Sequence, residues 1–141
     1  MKTYLPAVVK KLFVLSICSF LLLACSKKMM FASSSVVPAA EGSVKYKKDK
    51  NNNYHIDLKV LHLANSNKLT PARSTYVVWM ETESNGTKNL GQLKSSGSLL
   101  SSTLKGSLSA VTAFQPKSFF ITAEDNANVS YPGSEVVLKT N

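Results

Sequence analysis

Apolar and polar residues follow two different patterns along this chain. Leu12 to Ala24, LFVLSICSFLLLA, is an unbroken run of thirteen uncharged residues. From Gly42 onward, apolar residues come in short alternating runs separated by turn formers. A period of two predicts strands, because successive side chains of a strand point to opposite faces. No window carries the period of a convincing helix.

The runs can be placed in order. SVKYKK (43–48) alternates and leads into the polar turn DKNNN. YHIDLKVLHL (54–63) puts Tyr54, Ile56, Leu58 and Val60 on one face and His55, Asp57 and Lys59 on the other. Burying Leu61 or Leu63 as well requires a bulge near Leu61. ANSNKLTPAR (64–73) reads as a loop. TYVVWMETE (75–83) is apolar on both faces, which predicts a central strand. Asn85-Gly86 is a hairpin signal, with KNLGQLK (88–94) as the returning strand. LLSSTL (99–104) and SLSAVTA (107–113) are split by Lys105-Gly106. KSFFITAE (117–124), the polar turn DNANVSYPGS (125–134) and EVVLKT (135–140) complete the chain. Roughly seven to eight strands in about 100 residues predict an all-β chain, a single immunoglobulin-like β-sandwich over 42–141.

Ser26 to Glu41, SKKMMFASSSVVPAAE, has no sustained period and predicts a flexible tether over 25–41. Met29, Met30 and Phe31 are its candidates for touching a bilayer interface. The thirteen-residue run before it falls short of the roughly 20 apolar residues that span a membrane. Met1 to Lys11 carries three Lys and no acid. A basic start followed by a short apolar run is the pattern of a secretory signal peptide, here over 1–24.

The end of that run, Leu22-Leu23-Ala24-Cys25, resembles the lipobox of bacterial lipoproteins, though Leu23 is larger than the residue often found there. The resemblance implies cleavage between Ala24 and Cys25 and a diacylglyceryl group on the Cys25 thiol. Acylation of the new amino terminus, by palmitate or a similar chain, would follow. Each buried CH₂ is worth about 0.8 kcal/mol, and two or more chains hold a protein stably on a membrane. Residue 26 is Ser, not the Asp of the family's inner-membrane retention signal, and no acidic pair follows Cys25. The expected location is therefore the bacterial cell envelope, on the periplasmic face of the outer membrane.

Composition narrows the functional classes. The chain has 141 residues, enough for one domain, with 17 Lys and Arg against eight Asp and Glu. From Cys25 onward the balance is fourteen against eight, or +6. The lysines are spread through turns and strands, which speaks against nucleic acid as a partner. Lys27 and Lys28, next to the anchor point, suit weak attraction to anionic headgroups. Both cysteines, Cys18 and Cys25, fall in the first 25 residues, so the body has no disulfide and no Cys-based metal site.

Catalytic constellations are missing from the pattern. His55 and His62 are the only imidazoles, with no acid at a metal-ligand spacing. Glu81 and Glu83, and Glu124-Asp125, read as solvent-facing strand ends. No Gly-x-Ser-x-Gly elbow and no phosphate-cradling glycine loop is present. Asp125-Asn126-Ala127-Asn128 lacks the spaced acids of a Ca²⁺ loop. Tyr76 and Trp79 fit core packing. The expectation is no catalytic residue, no metal and no cofactor.

LTPARSTYVVWMETESNGTKNLGQLKSS (69–96) and GSLSAVTAFQPKSFFITAEDNANVSYPGSEVVLKT (106–140) resemble the extracytoplasmic C-terminal domain of anti-sigma-K-type factors. The residues that carry this are Pro71, Thr75-Tyr76-Val77-Val78-Trp79, Asn85-Gly86, Leu90-Gly91, Ile121-Thr122-Ala123-Glu124 and Pro132-Gly133. The resemblance implies a shared sandwich and a sensing or interaction role. It does not imply anti-sigma activity, because only Met1 to Lys11 could lie in the cytoplasm and the signal would be removed. The expected function is a non-catalytic envelope lipoprotein that contacts a protein partner through loops 64–74, 84–88 and 125–134. Arg73, Asn85, Asn126 and Tyr131 are the candidate contact residues. The alternative is a carbohydrate- or peptidoglycan-binding module using Tyr46, Tyr54 or Tyr131.

Overall fold

The computed structural model describes residues 26–97 and 103–141. Ala24 and Cys25 therefore lie outside the described residues, as does the 1–24 signal segment. So does most of the run 99–104 that was expected to form a strand.

Nine strands occur among the described residues. They are β1 (Lys27–Met30), β2 (Glu41–Lys48), β3 (Tyr54–Leu63), β4 (Thr75–Thr82), β5 (Thr87–Gln92), β6 (Lys94–Ser96), β7 (Leu104–Thr112), β8 (Pro116–Glu124) and β9 (Val136–Lys139). A single 3-10 turn, Ser66–Lys68, is the one helical element among them. One sheet has the order β1-β2-β3-β7-β6 and the other β5-β4-β8-β9, and every pairing is antiparallel. Leaving β1 aside, these orders correspond to the ABED and C′CFG sheets of immunoglobulin-type sandwiches. The expected sandwich is thus observed, with β1 and the short β6 raising the strand count to nine.

The inner faces of the sheets make the core. Val44, Ile56, Leu58, Val60 and Leu63 of the first sheet pack with Tyr76, Val78, Met80, Phe119, Ile121 and Leu138 of the second. Burying each large aliphatic side chain contributes about 1.5–3 kcal/mol. The polar alternates Lys45, Asp57, Lys59 and Ser109 of the first sheet stay exposed. The β3–β7 register shifts between Val60 and Leu63, and His62 there has φ 57°. Leu61 and His62 both stay outside and Leu63 turns in, which is the bulge the sequence pattern required.

Several expectations need correcting. The segment expected as a flexible tether is part of the fold. Lys27 to Met30 pair with Tyr46 to Ser43, and Phe31 bridges Thr140 at the end of the chain. Phe31, Val37 and Ala40 are buried in the core, and the Ser34 hydroxyl accepts from the amides of Val36 and Val37. The apolar residues of this segment have a protein surface to cover, so Phe31 is not free for a bilayer. Met29 is packed against the core and Met30 is exposed. Lys105-Gly106 does not break a strand, because β7 runs straight through it. A Cβ on Gly106 would sit 2.5 Å from Leu93 Cδ2, so the glycine allows close packing there. Glu124 is buried, not solvent-facing.

Candidate functional site

The connections gather at two opposite ends of the sandwich. Loops 64–74 and 125–134 lie at the end where β4 starts and β8 stops, since Thr75 pairs with Glu124. The 84–86 turn lies at the other end, with the β2–β3 and β7–β8 turns. Tyr54 Oη there reaches Gln115 Oε1 at 3.5 Å.

Loops 64–74 and 125–134 form one connected platform. Arg73 Nη1 donates to Asp125 Oδ2 at 2.7 Å, and the Ser74 amide donates to the Glu124 carbonyl. Loop 64–74 is itself closed by the Arg73 amide on the Ser66 carbonyl, 3.0 Å, and by Tyr76 Oη on the Ala64 carbonyl, 3.0 Å. Burial pushes the Tyr76 hydroxyl up to about 12, which keeps it a donor at neutral pH.

Loop 125–134 is fixed from below. Asn89 Nδ2 donates to the carbonyls of Ala127 at 2.9 Å and Val129 at 2.8 Å. The Asn128 amide donates to Asn126 Oδ1, a local Asx turn. Ala127 and Val129 pack on Val77, Trp79 and Phe120, on the side of β4 and β8 that faces away from the other sheet. Trp79 Nε1 donates to Thr122 Oγ1 at 2.8 Å, and Thr122 Oγ1 donates to Glu124 Oε1 at 2.6 Å. Glu124 Oε1 also accepts from the Gly133 amide at 3.0 Å. A buried polar chain thus joins the tryptophan to the far limb of the loop. Every member has a partner, which is what makes such a chain stabilising.

The platform presents a surface, not a hole. The hollow between the loops, lined by Leu69, Pro71, Arg73, Ser134 and Glu135, holds about 60 Å³. Small-molecule sites start near about 300 Å³. Tyr131 projects from it, 82% exposed.

Of the candidate contact residues, Arg73, Asn126 and Tyr131 therefore share one end. Asn85 sits at the other. Its amide donates to Thr82 Oγ1 at 2.8 Å, and Gly86 takes φ 69° to close the turn. Tyr46 and Tyr54 are also at the Asn85 end, with ring centres 6.5 Å apart. Tyr46 leans on Phe119 at 5.9 Å, and Lys48 Nζ lies 5.6 Å from the Tyr54 ring centre. Tyr131 is at the opposite end, so the three tyrosines do not share one stacking platform.

A feature not foreseen from the sequence flanks these tyrosines. Lys27, Lys47, Lys48 and Lys117 line a cleft of about 280 Å³ together with Tyr46 and Tyr54. The pairs Lys27-Lys28 and Lys47-Lys48 are visible locally; the fold brings Lys27 and Lys117 to Lys47 and Lys48.

Several titratable groups are paired. His55 Nε2 lies 2.9 Å from Asp49 Oδ2. The hydrogen bonds from His55 and from the Asn53 and Asn51 amides hold the Asp49 carboxyl below its ordinary value. Glu81 is held low by the Ser118 hydroxyl and by Lys139 Nζ at 3.0 Å. His62 Nδ1 is 3.5 Å from Glu41 Oε1. Among the described residues, no three His, Cys, Asp or Glu side chains are grouped to hold a metal ion.

Compared with protein-family models, with curated proteins and with solved structures, the chain matches none.

Proposed function

We propose that the chain is a non-catalytic lipoprotein of the bacterial cell envelope that presents its sandwich to a protein partner. The observation that carries this reading is the platform of loops 64–74 and 125–134. It is joined by the Arg73–Asp125 ion pair and displays Tyr131. Fixed loops on a sandwich with a projecting aromatic and an arginine suit protein contact, where Tyr and Arg are enriched at energetic centres. The lipobox resemblance of residues 22–25 supports an anchor at Cys25, on the periplasmic face of the outer membrane. The resemblance to anti-sigma-K extracytoplasmic domains supports a sensing or interaction role.

Two experiments test the parts separately. Cys25→Ala should abolish labelling by a fatty-acid analogue and leave unprocessed precursor; persistent labelling would refute the anchor. Affinity purification of the full chain from membranes should recover a partner that Tyr131→Ala and Arg73→Ala both release. Retention on purified peptidoglycan, unaffected by those substitutions, would favour the glycan-binding alternative instead.

A further inference from the structure

The end of the sandwich where β1 begins concentrates positive charge that the sequence scatters. Lys27, Lys47, Lys48 and Lys117 line the cleft, Lys50 lies in the adjoining turn, and Lys88 is near the start of β5. Three acids accompany them, Asp49, Glu83 and Glu81, the last already engaged by Ser118 and Lys139. The Asp49 carboxylate is already engaged by His55 and two amides, and Glu83 sits on the cleft wall. At the opposite end, Lys68, Arg73 and Lys105 stand among Glu41, Glu124, Asp125 and Glu135. The excess of charge therefore points one way along the molecule.

An apolar group accompanies the lysines. Phe114, in the turn between β7 and β8, is 37% exposed. Lys88 Nζ lies 4.7 Å from its ring centre. Lysines at the same end as a part-exposed aromatic match the two chemical zones of a bilayer surface, phosphate outside and hydrocarbon beneath.

We propose that this end of the sandwich docks on an anionic phospholipid surface, its lysines on headgroup phosphates and Phe114 at the acyl boundary. The proposal rests on the anchor reading of Cys25, which lies two residues before β1 and so tethers this same end. Lipid chains supply the first attachment and the basic patch the second. Each lysine near an anionic surface contributes about fivefold to docking. Added salt weakens it by screening. Docking fixes orientation. The platform with Arg73, Asn126 and Tyr131 faces away from the membrane, while Asn85 faces the lipid and is not a partner contact.

The test uses the full chain purified from membranes and reconstituted in phosphatidylcholine vesicles, with or without phosphatidylglycerol. Phe114→Cys and, separately, Tyr131→Cys carry an environment-sensitive dye. The dye at 114 should shift to the blue only with phosphatidylglycerol and be quenched by nitroxide-bearing lipid; the dye at 131 should do neither. Replacing Lys27, Lys48 and Lys117 together by Ala should lower the docked-to-undocked ratio on the order of a hundredfold, with the unfolding temperature retained. Equal signals at both positions, or a signal at 114 independent of phosphatidylglycerol, would overturn the proposal. Displacement by inorganic phosphate beyond that by chloride at equal ionic strength would make the cleft a site for free phosphate and would overturn it too. Intact mass reports Cys25 acylation independently. Acylated protein with no dependence on phosphatidylglycerol refutes docking and keeps the anchor. Unacylated protein refutes the anchor, and its sedimentation with anionic but not neutral vesicles then decides docking.

Discussion

The two sheets of this sandwich solve different problems. The five-stranded sheet keeps one wet face, where Lys45, Asp57 and Ser109 lie in cross-strand register and Ser109 Oγ donates to Asp57 Oδ1 at 2.7 Å. Its strands alternate, and water satisfies the outside. The four-stranded sheet is dry on both sides at its centre. Tyr76 through Met80 of β4 are all buried, as are Phe119 through Glu124 of β8. A strand pair that is apolar on both faces needs a second cover, and loop 125–134 supplies it. The same loop forms half of the candidate contact platform. The need to cover Trp79 therefore places a candidate contact loop and holds it still.

Substitutions can break this contrast. Trp79→Ala should cost about 3–5 kcal/mol, the range for emptying a large aromatic site. Lys59→Ala on the wet face should stay within about 0.5 kcal/mol. Urea unfolding of the two variants measures the difference; similar costs would mean the loop does not seal the second sheet. Asn89→Ala comes next. It frees the carbonyls of Ala127 and Val129, at about 1–3 kcal/mol for the unsatisfied groups. Its sharper signature is local: faster amide exchange in 126–133 and a red-shifted Trp79 emission, with the β3–β7 amides unchanged.

The smallest effects are acid-dependent and distinguish the sheets by residue. The folded Asp49 and Glu81 carboxyls titrate below their ordinary values of 3.8 and 4.5. Their contributions are present above those values and are lost as pH falls through and below them. His55→Ala should flatten the acid limb of the stability profile through Asp49 beside the first sheet. Lys139→Ala should do so through Glu81 on the second. Unfolding midpoints measured between neutral pH and pH 3 check both, and an unchanged acid limb in either variant would remove that pair from the account.

Much of the architecture was legible because it repeats locally. The alternation of 54–60, the two-faced apolar run of 75–80 and the Asn85-Gly86 turn each carry their own signal. The bulge near Leu61 followed from a phase conflict between Val60 and Leu63. What was not legible depended on distant partners. β1 has only four residues and is an edge strand, so Lys27 to Met30 show no alternation strong enough to read. Gly106 looked like punctuation because Leu93, its packing neighbour, comes from the link between β5 and β6. Glu124 looked wet because its partners, Thr122, Gly133 and through them Trp79, meet only in the fold. Within the candidate platform, the loops and Tyr131 could be nominated from sequence. The Arg73–Asp125 clasp and the separation of Asn85 from the rest could not.

β1 also has a mechanical meaning. Its first residue pairs with Tyr46, and its direction runs from the lysine-rich end toward the platform. A force entering at Ser26 and resisted at loop 125–134 therefore acts along the strand axis. Such a force slides β1 past β2 and strains the rungs between Lys27 and Met30 together, where a sideways pull would unzip them one at a time. The strand behaves as a short lap joint, stiff under tension along the molecule and weak to lateral peeling.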